Sequence, residues 1–168
     1  MKKDLIVSFL RTMKNTINER GRILMNKEIV YNIIDNVIEK YGLMIEKELN
    51  IKTAYGIYIH EEHPEDPYNV FGACSSLNDM NELHEGIPFI NIFVNPFLEN
   101  YDNEEEIYEN VIKILAHELT HVSQLERGYT FDDIYTSYDN GGDFKNYEEQ
   151  DFEIEAMDFA KKFYNKVF

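Results

Sequence analysis

The sequence predicts an α+β fold in a single domain spanning residues 1–168, and three observations carry that prediction. Apolar residues recur at helical spacing through the first fifty positions and again after residue 103. Between residues 51 and 96 the period shortens, and β-branched and aromatic residues crowd together. A chain of 168 residues is long enough to bury a core without disulfides or structural metals to staple it.

The elements follow in order. Leu5, Ile6, Phe9, Leu10, Met13 and Ile17 share one face of a helix over residues 2–19, which Gly21 ends. A second helix opens at an Asn26 N-cap and runs to Tyr41, its apolar face made by Ile29, Val30, Ile33, Ile34, Val37 and Ile38. These two make residues 1–50 an N-terminal helical part. Residues 51–96 form a small twisted sheet, with strands in "IKTAYGIYIH", "YNVFGACSS" and "IPFINIFVNP". The intervening "EEHPEDP" and "LNDMNELHEG" carry the proline, glycine and acidic residues of surface loops. A helix over residues 103–127 begins at Asn103, gathers Glu104, Glu105 and Glu106 against the positive end of its dipole, and is closed by Gly128. Residues 129–146 read as a long tyrosine-rich loop, and helical spacing returns over residues 147–167.

Composition narrows the function. The formal net charge of −16 repels a phosphate backbone, which argues against nucleic acid as a partner. Mean hydropathy of −0.46 and the lack of a long apolar run argue against a membrane span. The apolar stretch from Leu5 to Leu10 is too short for a secretory signal, and one cysteine, Cys74, allows no intrachain disulfide. A cytoplasmic protein is expected.

The chemistry is expected in "ILAHELTHVSQ", residues 114–124. On a helix, His117 and His121 stand one turn apart on one face, where two imidazoles can share a metal ion. Glu118, about 100° round the helix, can reach a water on that metal without binding the metal itself. This is the H-E-x-x-H arrangement, with two neutral ligands and a carboxylate base. Zinc suits it because a zinc-bound water has a pKa near 7 and gives up its proton readily. Asn110, Lys113, His117, His121 and Gln124 form a polar stripe, while Ile107, Val111, Leu115, Leu119 and Val122 take the rest of the circumference. Such a helix fits the floor of a cleft.

A catalytic zinc needs a third protein ligand and an open fourth position. The last helix offers several carboxylates. Phe152, Ala156, Phe159, Ala160 and Phe163 mark its buried face, which Glu149 and Glu153 border, whereas Glu155 and Asp158 turn outward. Ala156 and Ala160 beside Glu153 let another helix approach closely, which favours Glu153. Glu149 and Glu155 remain rivals.

"HELTH" followed about thirty residues later by "EIEAMDFA" resembles the zincin metallopeptidases with a glutamate third ligand, notably the small ImmA/IrrE-like and phage-associated peptidases. The resemblance covers about residues 86 to 165. It implies a zincin-like fold, Zn2+ held by His117, His121 and Glu153, and Glu118 as catalytic base. It also implies hydrolysis of peptide bonds in a restricted set of intracellular protein or peptide substrates. The alternative is a non-catalytic metal-binding regulatory module of the same fold. Such families often place an aspartate four residues after the ligand glutamate to orient a histidine; here that position is Met157, leaving Asp158, Asn110 or a backbone carbonyl for the task. They also place an edge strand before the motif helix, a position that "FINIFVNP" occupies, where an extended peptide can pair.

The remaining histidines, His60, His63 and His84, read as surface residues, although His60 and His63 with Glu61 and Glu62 offer a loosely spaced second ion site. Cys74 reads as buried filler. Tyr129, Tyr135, Tyr138 and Tyr147 follow the motif helix and are candidates to donate to an oxyanion.

Overall fold

A computed structural model of the chain describes residues 25–76, 87–130 and 150–168. The expected helix over residues 2–19 lies outside them, as do His84, Tyr135, Tyr138, Tyr147 and Glu149. The described part is a small α+β unit of four helices and one three-stranded sheet.

Helix α1, Lys27–Leu49, starts where Asn26 accepts a hydrogen bond from the Ile29 amide at 2.9 Å. It runs two turns past the expected stop at Tyr41, through Gly42. A helical glycine costs about 1 kcal/mol, and burying Ile45 completely, worth about 1.5–3 kcal/mol, outweighs that. Asn50 then ends the helix in the left-handed conformation at φ 55°.

Strands β1 (Gly56–His60), β2 (Gly72–Ser75) and β3 (Phe89–Phe93) fall within the three expected segments. Their spatial order is β1-β3-β2, with β3 parallel to β1 and antiparallel to β2. The expectation that "FINIFVNP" lies at an edge is therefore corrected: β3 is paired on both sides. All five of its residues are buried, as in a strand covered on both faces, whereas β1 and β2 are only partly buried.

A short helix α2, Asn95–Asn100, was not anticipated in the approach to the motif helix. Pro96 sits in its first turn, where a missing amide costs nothing, and Phe97 anchors it in the core. Helix α3, Glu104–Glu126, begins with Asn103 accepting from the Glu106 amide at 2.8 Å, and Gly128 follows its end at φ 102°. Helix α4, Asp151–Val167, completes the unit.

Helix α3 is the centre of the fold, with α1 on one side, α4 on another and β2 lying against it. Ile107, Val111, Ile112, Leu115, Leu119 and Val122 are fully buried, and each contributes about 1.5–3 kcal/mol. That sum holds the helix against the cost of the polar groups buried on its remaining face. No helix among the described residues is long and apolar enough to cross a membrane.

Candidate metal centre

One turn of α3 separates His117 from His121, and their Nε2 atoms lie 3.0 Å apart. From α4, Glu153 reaches both rings, with Oε2 at 3.2 Å from His117 Nε2 and Oε1 at 3.2 Å from His121 Nε2. Four ligands arranged tetrahedrally at about 2.0–2.1 Å from zinc stand roughly 3.3 Å from one another. The three separations match that spacing. Protons alone serve the trio poorly, because each bridges one pair at a time, whereas a divalent cation engages all three donors together. His121 and Glu153 are buried, while the His117 side chain is 22% exposed and opens the centre to the cleft.

Helix packing produces this convergence. Ala156, with no exposed surface, and Ala160 lie on the α4 face that meets α3, where small side chains let the two backbones approach. The helices run antiparallel: Gln124 meets Phe152 and Glu155, the two histidines meet Glu153, and Lys113 lies over the Tyr164 ring.

Glu118 is 6% exposed and lies against β2. A Cβ on Gly72 would come within 2.9 Å of Glu118 Oε1 and 2.7 Å of Ile114 Cγ2, so only glycine leaves room for that carboxylate. Phe93 donates its amide to the carbonyl of Phe71, the residue just before β2, at 2.9 Å, which directs the backbone groups of Phe71 and then of Ala73 and Ser75 toward β3. Gly72 and Cys74 turn their backbone groups the other way, and the Cys74 amide donates to Glu118. Burial pushes the Glu118 carboxyl up, Glu153 adds to the rise, and the two imidazoles oppose it. For His121, burial lowers the affinity for a proton, but the hydrogen bond to Glu153 and the charges of Glu118 and Glu153 outweigh it and raise the ring.

The cleft has a volume of about 1110 Å³. His117, Glu118 and His121 line it together with β2, and it continues along α3 to Lys113 and Glu109, with Met157, Lys161 and Tyr164 of α4 on its wall.

One of the rivals goes elsewhere. Glu155 accepts from Gln124 at 3.2 Å and from Arg127 at 2.8 Å, and Glu149 is outside the described residues. Asp158 is exposed, and Asn110 donates back to the Glu106 carbonyl at 2.8 Å. The side chain that meets a histidine of the trio is Gln124, whose Oε1 lies 2.8 Å from His121 Nδ1. Its place on the polar stripe, three residues after His121, was the available signal. The loosely spaced second ion site does not form, because His60 bonds Asn91, His63 accepts from the Glu65 and Asp66 amides, Glu61 pairs with Lys27 and Glu62 with Asn95. Among the described residues, His117, His121 and Glu153 are the one group of three or more side chains placed to share a metal. Cys74 is 3% exposed, and burial, reinforced by Glu118, pushes its thiol up, which suits an inert core residue. A comparison of the chain with protein-family models and with curated proteins finds no match.

Proposed function

We propose that the chain is a zinc-dependent metallopeptidase of zincin-like fold, with His117, His121 and Glu153 as ligands and Glu118 as general base. The observation that carries this reading is the mutual spacing of the three donors, 3.0, 3.2 and 3.2 Å, beside a buried carboxylate that is not one of them. Zinc held there supplies Lewis acidity and a water whose pKa is near 7. Glu118 takes the proton from the water that attacks the carbonyl carbon. It then delivers that proton to the amine nitrogen as the C–N bond breaks. The Cys74 amide and the absent side chain at Gly72 hold the Glu118 carboxylate in position for both transfers.

A peptide substrate is supported by β2, the outermost strand on that side among the described residues, where Gly72 turns its backbone groups away from β3 beside Glu118. From Glu109 to His117 the cleft follows α3 for about 12 Å, enough for roughly three or four extended residues. The single, buried cysteine fits work in the reducing cytoplasm.

The test is cleavage of a peptide library by the zinc-loaded chain and by Glu118→Gln. The variant is expected to keep its zinc and to lose hydrolysis by about 100-fold or more. Cleavage by Glu118→Gln at the parent rate would remove Glu118 from this role. Zinc binding without cleavage by the parent would favour a regulatory module.

A further inference from the structure

Gln124 is fully buried, and its amide touches three groups at once. Nε2 donates to the Phe152 carbonyl at 2.8 Å and to Glu155 Oε2 at 3.2 Å, while Oε1 faces His121 Nδ1 at 2.8 Å. Carbonyl and carboxylate oxygens only accept, so the amide can stand in one orientation and its NH2 must point at Phe152 and Glu155. Its oxygen, also an acceptor, is thereby aimed at His121 Nδ1 at 2.8 Å, a shorter contact than the 3.2 Å from Nε2 to the competing acceptor Glu153 Oε1, so a ring with one hydrogen carries it on Nδ1.

We propose that Gln124 is the positioning residue of the metal centre: it holds the neutral His121 ring in the Nδ1–H form, so that Nε2 presents a bare lone pair to the cation. Glu155 is part of the device. Its carboxylate is fixed from the other side by Arg127 at 2.8 Å, which keeps an acceptor in front of the Gln124 NH2. The link also joins the ligand helix to the end of α4 that carries Glu153, so one side chain sets both the tautomer and the helix alignment. Met157 leaves no aspartate for this work, and Gln124 supplies the acceptor from the motif helix instead.

The functional meaning rests on the zinc reading, but the tautomer can be measured without metal. The experiment is a long-range 1H–15N correlation spectrum of the metal-free full chain, at a pH where His121 is neutral, together with zinc affinity by competition with a chromophoric chelator. The unsubstituted chain is expected to show His121 as Nδ1–H. Gln124→Met, similar in length but without the amide, is expected to shift the ring toward Nε2–H and to weaken zinc binding by roughly 10- to 100-fold. Gln124→Glu keeps an oxygen on Nδ1–H but sets it against the Phe152 carbonyl and Glu155. It is expected to lower the melting temperature and yet hold zinc within about threefold of the parent. A solely structural role would make affinity follow melting temperature in both variants. An Nε2–H ring in the unsubstituted chain, or equal zinc loss in both variants, overturns the proposal. Should Gln124→Met fail to fold, the parent spectrum decides. Failure of the unsubstituted chain to bind zinc would strike the metal reading, and the tautomer would still decide the role of Gln124.

Discussion

Gly72 has no side chain, and the Glu118 carboxylate occupies the space one would fill. A methyl group there would stand 2.7 Å from Ile114 Cγ2 and 2.9 Å from Glu118 Oε1, so both side chains must shift, and both line the cleft into which they can move. Gly72→Ala is therefore expected to leave zinc affinity near that of the parent, because the atoms nearest to a Cβ there belong to Ile114 and Glu118, neither of them among the three proposed ligands, while hydrolysis falls by about 100-fold, as a base misplaced by about 1 Å can cost. Parallel zinc titration and peptide cleavage check this. Equal activity in Gly72→Ala would mean that Glu118 needs no such fixed seat. At this scale the sequence was informative where the geometry is local. His117, Glu118 and His121 are set by one helical turn, and any chain that forms the helix places them alike. Gln124 shared the stripe, but its role depends on the Phe152 carbonyl and Glu155, twenty-eight and thirty-one residues away, and no local period reports that.

At the scale of elements, the α3–α4 interface decides whether a third donor arrives. Ala156 is fully buried there, one turn past Glu153. Ala156→Leu adds three carbons to a filled interface, costs about 1–3 kcal/mol, and moves α4 outward. Zinc affinity is expected to fall by at least about 10-fold. Ile34→Ala on α1 costs about 2–5 kcal/mol and is expected to leave affinity within about threefold, since α1 supplies no ligand. Chemical denaturation and zinc competition on both variants separate the two effects. Small residues beside Glu153 are what made that carboxylate the favoured donor in the sequence, and the same residues form the contact. The sheet was only half legible. Composition marks three strands, but their order is a matter of pairing between distant segments, so β3 was expected at an edge that β2 occupies. The extension of α1 through Gly42 was hidden for a related reason: the burial of Ile45 depends on partners outside the helix.

For the whole molecule, the −16 charge and the largely buried histidine–glutamate trio act in the same direction. The acidic field raises the local concentration of cations and repels polyanions, and the proposed centre would give a divalent cation three donors at one place. Around it, the packed helices α1, α3 and α4 leave the centre open toward the cleft, through the partly exposed His117. The measurement that tests this most directly is zinc content with zinc K-edge X-ray absorption on the purified full chain and on His117→Ala and Glu153→Ala. The account predicts one zinc per chain, two imidazole nitrogens and oxygen ligands at about 2.0–2.2 Å, and loss of that signal in both variants. A chain that retains no zinc, or an absorption spectrum unchanged by either substitution, would contradict it.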